Sequence, residues 1–186
     1  MDRATSHAAR HAAAVESLFD NLAGPLADFG CGEGIFAGRP GYVGLDAAPG
    51  SASNVRADVR RVPLRAGSCA GVLCVNTLHL VLDPLRVLEE IDRVLQPSGR
   101  AYVKNRWYKT AGRRNAPRSL FARLAHQTSF WLHGLLHGGR PLHVRVNSDG
   151  TSAVCPGCFR RWFASRGYRV DRAAAHVMVL EKAPAR

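Results

Sequence analysis

The sequence predicts an α/β domain on a doubly wound, mostly parallel sheet, and three observations predict it. Short apolar runs that end at glycine or aspartate alternate with stretches of helical periodicity. The run at 71–75, apolar with β-branched residues at intervals, reads as a strand buried inside a sheet. A chain of 186 residues with 46% hydrophobic content can bury one full core, which excludes a disordered chain, a coiled coil and a collagen-like repeat.

Taken in order, residues 3–20 carry Ala8, Ala12, Val15, Leu18 and Phe19 at helical spacing, and Gly24-Pro25 stops the pattern. Strands are predicted at 26–29, 42–45 and 54–57, the last two followed by or ending near Asp46 and Asp58. Pro84 opens a helix whose apolar positions 85, 88, 91, 94 and 95 follow a 3.6-residue period. Pro97-Ser-Gly99 is read as its end, with a strand returning at 100–103. A helix near 159–165 and strands at 168–170 and 176–180 complete the pattern. Residues 106–150 interrupt it as an insertion within a single domain spanning 1–186, basic at first and then amphipathic, expected to form a helical cap.

Charge divides the chain. Residues 1–92 hold 8 basic and 11 acidic side chains, a net of −3, whereas residues 93–186 hold 18 and 3, a net of +15. No stretch approaches the ~20 apolar residues of a membrane span, and the first 14 residues lack the apolar centre of a signal peptide, so the expectation is a cytoplasmic protein. The five cysteines show no disulfide-framework spacing, in agreement.

The strongest local signal is Asp28-Phe-Gly-Cys-Gly-Glu-Gly34, leaving a predicted strand. A dinucleotide fingerprint needs glycine where Ile35 stands. Asp28 and Glu33 put carboxylates beside the glycine turn, where a pyrophosphate would be repelled and a cationic ligand carrying an amino group and a sulfonium favoured.

These residues resemble the first motif of the class I S-adenosylmethionine-dependent methyltransferases, and other motifs follow in order. Asp46 matches the acid that accepts both ribose hydroxyls, and Asp58-Val59 matches the adenine-binding motif. Asn76 stands at the rim of the fourth strand, and Pro97-Ser-Gly99 resembles the family's helix end. The resemblance, to the UbiE-like methyltransferase domain in particular, covers residues 24–105 and implies a Rossmann-like fold with S-adenosylmethionine as cofactor. It implies cofactor binding by Asp28, Gly30, Cys31, Gly32, Gly34, Asp46, Asp58, Val59 and Asn76. Only 17 residues separate Asp28 from Asp46, and 11 separate Asp46 from Asp58, so the helices after the first two strands must be very short or absent. That trimmed spacing is similar to the nucleomethylin-type ribosomal-RNA adenine-N1 methyltransferases.

Methyl transfer is an in-line displacement in which positioning and exclusion of water matter most. A ring nitrogen with a lone pair needs no base; a phenol or carbon nucleophile does. His79 is the candidate base, and a packed rim histidine is the alternative. For the acceptor, Arg106, Trp107, Tyr108, Lys109, Arg113 and Arg114 combine guanidinium groups with aromatic rings, a pattern suited to RNA phosphates and unpaired bases, such as those of rRNA or tRNA. The alternatives are a solvated basic face, or an apolar lid over a small hydrophobic molecule such as a quinone or lipid precursor. A cofactor-binding RNA-interaction protein without catalysis is the reading furthest from these. Cys155-Pro-Gly-Cys158, with His143, and the trio His126, His133 and His137 have ligand spacing, but no second CxxC follows and no metal is expected.

Overall fold

Strand β1 (Leu26–Phe29) is buried along its whole length because it has a parallel neighbour on each side, β2 (Tyr42–Asp46) and β4 (Cys69–Val75). This computed structural model describes residues 13, 15–20, 22–48, 51–105, 107, 142, 144–146, 151–174 and 176–185. Beyond β2 lies the short β3 (Val55–Arg56), and beyond β4 lies β5 (Leu95–Lys104), both parallel to their neighbours. The sheet ends in an antiparallel pair, β9 (Val177–Lys182) on β5 and β8 (Tyr168–Ala174) on β9. The order β3-β2-β1-β4-β5-β9-β8 reverses direction between β1 and β4, which is where an open α/β sheet forms its ligand crevice.

Each face of the sheet has a core. On one, Val15 and Phe19 from the helical residues 15–19 pack with Leu26, Phe36, Leu73 and Tyr102. The other is covered by α1 (Pro84–Val94), through Val87, Leu88, Ile91 and Val94, and by α2 (Pro156–Ala164), through Cys158, Phe159, Trp162 and Phe163. Pro at the start of both helices suits the first turn, where no backbone donor is needed.

Residues 30–41 after β1 and 47–54 after β2 include no described helix, in keeping with the trimmed spacing. Other boundaries differ from expectation. Pro97-Ser-Gly99 does not separate helix from strand: α1 passes directly into β5 at Leu95, and the triplet is a bulge within it. Cys69 pairs with Leu95 and Gly71 with Arg100, so the four residues 96–99 stand opposite Ala70 alone, with Ser98 at φ 60°. Helix α2 begins three residues early because Cys155 and Pro156 supply its start.

The sequence also conceals a second sheet, β6 (Val144–Val146) antiparallel to β7 (Ser152–Val154). Residues 106 and 108–141, which contain most of the expected basic cap, lie outside the described residues.

Candidate active site

The crevice is built by the turn leaving β1. Gly30 takes φ 74° and its N–H donates to the Leu45 carbonyl at 2.7 Å; the Cys31 N–H donates to the same oxygen at 3.2 Å. A Cβ on Gly30 would lie 2.3 Å from Thr77 Oγ1, which itself donates to the Phe29 carbonyl at 2.9 Å. Only glycine lets the end of β4 lie against this turn. Gly32, at φ 52°, faces open space instead, with no atom within 4 Å of an added Cβ.

Asp46 closes the next wall. The Gly32 N–H donates to Oδ2 at 2.9 Å and the Ala48 N–H to Oδ1 at 2.8 Å, which fixes the carboxylate at the mouth of β2. Each oxygen keeps a lone pair for a further donor. Asp58 stands further along, held in an exposed fork by Arg60: Nη2 to Oδ2 at 2.6 Å and Nε to both oxygens at 3.0 Å. Those hydrogen bonds hold the Asp58 carboxyl below the usual range.

Together these elements enclose a cleft of about 540 Å³, lined on one side by Gly30, Gly32, Asp46, Ala47 and Ala48, on another by Asp58, Val59 and Arg60, and on the third by Asn76, Thr77, Leu80, Val81 and Leu82. That size suits a small organic ligand or cofactor. Asn76 leaves β4 at φ 57°, a left-handed conformation that Asn tolerates better than most residues.

Six of the nine residues marked from the sequence as cofactor contacts therefore line one cleft. Asp28, Cys31 and Gly34 do not. Asp28 is buried behind the turn, its Oδ2 accepting from the Tyr42 hydroxyl at 2.9 Å. Burial pushes its carboxyl up to about 6, the Tyr42 bond opposes that, and nearby Asp46 adds to it. Burial likewise raises the Cys31 thiol, with Asp28 and Asp46 adding to the effect. A Cβ on Gly34 would lie 2.8 Å from that of Ala52, so it belongs to the packed rear of the turn. The negative charge facing the cleft is consequently that of Asp46 and Asp58, not of Asp28 and Glu33.

His79 sits in the 3-10 turn Leu78–Leu80, but its Nδ1 meets Asn105 Oδ1 at 3.1 Å and the residue does not line the cleft. Trp107 corrects another expectation. It is buried, bridged to Val154 of β7, and packed edge-on against Phe159 at 4.8 Å between centroids, so it is part of the core and no platform for a base. Arg106, Tyr108, Lys109, Arg113 and Arg114 lie outside the described residues, as do His126, His133, His137 and His143. Cys155 caps α2 and Cys158 is buried in its first turn; no cluster of three metal-ligating side chains occurs among the described residues.

The sequence reading missed Arg60, Thr77, Leu80 and Leu82. The two leucines had one available signal, apolar residues in the stretch Leu80-Val-Leu-Asp-Pro84 that no strand or helix pattern claims.

Residues 27–103 match the family model for the methyltransferase domain. Over those residues, fewer than half of the chain, the sequence is similar to a methyltransferase domain, and the cofactor that this implies is S-adenosylmethionine. The match is to that domain in general and singles out neither the UbiE-like nor the nucleomethylin type. No curated protein sequence matches this chain. Its fold is shared with the PH0226 protein of Pyrococcus horikoshii, at 16% identity and TM-score 0.58, covering 100% of this chain and 93% of that one. A Haloferax volcanii putative methyltransferase, solved in complex with the Trm112 methyltransferase activator, matches at 15% identity and TM-score 0.56, over 98% and 94% of the two chains. The 1,6-didemethyltoxoflavin-N1-methyltransferase of Burkholderia thailandensis, with 1,6-didemethyltoxoflavin and S-adenosylhomocysteine bound, matches at 16% and 0.56, over 95% and 78%. Among the described residues, no helix is long and apolar enough to cross a membrane.

Proposed function

We propose that the protein transfers the methyl group of S-adenosylmethionine, held along Gly30, Gly32, Asp46, Asp58, Val59 and Asn76, to a small apolar acceptor received on Leu80 and Leu82. The residues fit the cofactor. The space over Gly32 admits a ligand backbone, Asp46 offers lone pairs to two ribose hydroxyls, and Val59 gives an adenine ring an apolar wall. The cofactor supplies an electrophilic methyl on a sulfonium. The chain's part is to orient that group, keep water out and place the acceptor in line with it.

One observation carries the choice of acceptor. Leu80 and Leu82 are 68% and 76% exposed where they line the cleft, a large apolar surface that no other described residue covers. An apolar acceptor covering them gains about 25 cal/mol for each Å² removed from water. The RNA reading keeps one observation in its favour, the net +15 of residues 93–186, although Trp107 no longer supports it. An acceptor whose nucleophile is the lone pair of a ring nitrogen needs no base, in keeping with the position of His79.

Incubation of the protein and methyl-labelled cofactor with a cell lysate distinguishes the readings. Label in the organic extract is expected, reduced by Leu80→Ala with Leu82→Ala; label confined to an RNase-sensitive fraction overturns the small-molecule reading. The cofactor half has its own test. Asp46→Ala should weaken S-adenosylhomocysteine binding, measured by calorimetry, about a hundredfold, because two hydrogen bonds to a carboxylate are lost. Undiminished binding would remove Asp46 from the site.

A further inference from the structure

The apolar rim of the cleft is secured from outside the parallel sheet. Ser152, in β7, is 2% exposed, and its hydroxyl donates to the Leu78 carbonyl at 2.9 Å, with the Val81 carbonyl at 3.3 Å as a second acceptor. The two carbonyls lie on either side of Leu80, whose own N–H closes the 3-10 turn onto the Thr77 carbonyl at 2.9 Å. A one-turn helix with few bonds of its own depends on such a contact to hold one conformation. The bond spans 74 positions of sequence.

The same strand gathers other parts of the chain. β6 pairs with it through Val144–Val154 and Val146–Ser152, and Trp107 bridges to Val154. Segments on either side of residues 108–141 therefore meet at the strand that holds the rim.

We propose that Ser152 is a positioning residue for the methyl acceptor: through the Leu78 and Val81 carbonyls it fixes the backbone that sets Leu80 and Leu82 at the mouth of the cleft. The inference rests on the reading that the acceptor lies on those two leucines. It makes no demand on cofactor binding, since Gly32, Asp46 and Ala48 are joined by their own hydrogen bonds.

The test compares Ser152→Ala with the unaltered protein by amide exchange, S-adenosylhomocysteine calorimetry and label transfer into organic extract. Losing the hydroxyl should speed exchange of the amides of residues 78–82 about tenfold, the effect of one buried hydrogen bond. The Gly32 and Ala48 amides should not change, and cofactor affinity should stay within about twofold. The amount of extract giving half-maximal transfer should rise several-fold, and Ser152→Thr, which keeps the donor, should restore the slow exchange. Ile91→Val, a core change in α1, controls for general loss of stability. Exchange that quickens equally throughout, as in that control, or rim exchange that does not change, overturns the proposal. If the alanine variant does not fold, Ser152→Cys, with a weaker donor of similar size, answers the same question. Absence of label in the extract with the unaltered protein overturns the acceptor reading, and the proposal with it, whereas failure of the exchange result alone removes only Ser152.

Discussion

The two walls of the cleft are made in different ways. The wall of Gly30, Gly32 and Asp46 is polar and built from neighbouring strand ends, with backbone groups bonding one another and the Asp46 carboxylate across 20 positions or fewer near the glycines. The wall of Leu80–Leu82 is apolar and exposed, and a hydroxyl from a different sheet holds it. The first suits a ligand recognised by fixed hydrogen-bond partners, the cofactor. The second suits a ligand recognised by apolar contact, and a rim of this kind can change its specificity without disturbing the polar wall.

The largest expected effect comes from contrasting two glycines within the polar wall. Gly30→Ala combines a left-handed φ with a 2.3 Å approach to Thr77 and should destabilise the protein by about 4 kcal/mol in urea denaturation. Gly32→Ala meets no atom, so only the backbone preference is lost, about 1 kcal/mol, while the new methyl intrudes on the cofactor's space. If the two cost the same, the contact between Gly30 and Thr77 does not join the walls as described.

A smaller effect concerns the carboxylate behind that wall. Asp28 is raised from 3.8 to about 6 by burial, so the folded state holds its proton more tightly than the unfolded state does. Its contribution to stability therefore grows as pH falls from about 6 towards 4, and is absent above pH 6, where a buried charge remains. The span corresponds to about 3 kcal/mol. Asp28→Asn should remove this dependence, so that the variant's stability relative to the unaltered protein rises between pH 4 and pH 7. Parallel stability curves would place Asp28 in a more solvated position.

The smallest effect tests the end of the cleft at Asp58. Arg60 occupies both oxygens of that carboxylate, which a ligand amine must share. Arg60→Ala should tighten S-adenosylhomocysteine binding about threefold, the scale of an exposed ion pair. Weaker binding would make Arg60 a contact of the ligand and not a competitor for Asp58.

Much of the polar wall was legible before the structure. Gly30, Gly32 and the strand-end Asp46 announce themselves because a left-handed turn and a carboxylate at a strand terminus are properties of a few consecutive residues. Asp28 shows the limit of such reading. Its place in the motif is plain, yet whether its carboxylate faces the cleft depends on Tyr42 in the next strand. The exposed leucines were hidden for the opposite reason, since leucine in a loop near a helix start reads as ordinary core.

By itself the sequence determined the strand order's raw material, the glycine turn and the segregation of charge, because apolar runs, backbone conformation and net charge are local or additive quantities. The tertiary structure decided that Trp107 belongs to the core, that Asp28 turns inward and that Ser152 reaches the rim. Each of those outcomes depends on what a distant part of the chain places beside the residue. A side chain's surroundings, and with them its charge state, exposure and hydrogen-bond partner, exist only once the sheets have been assembled.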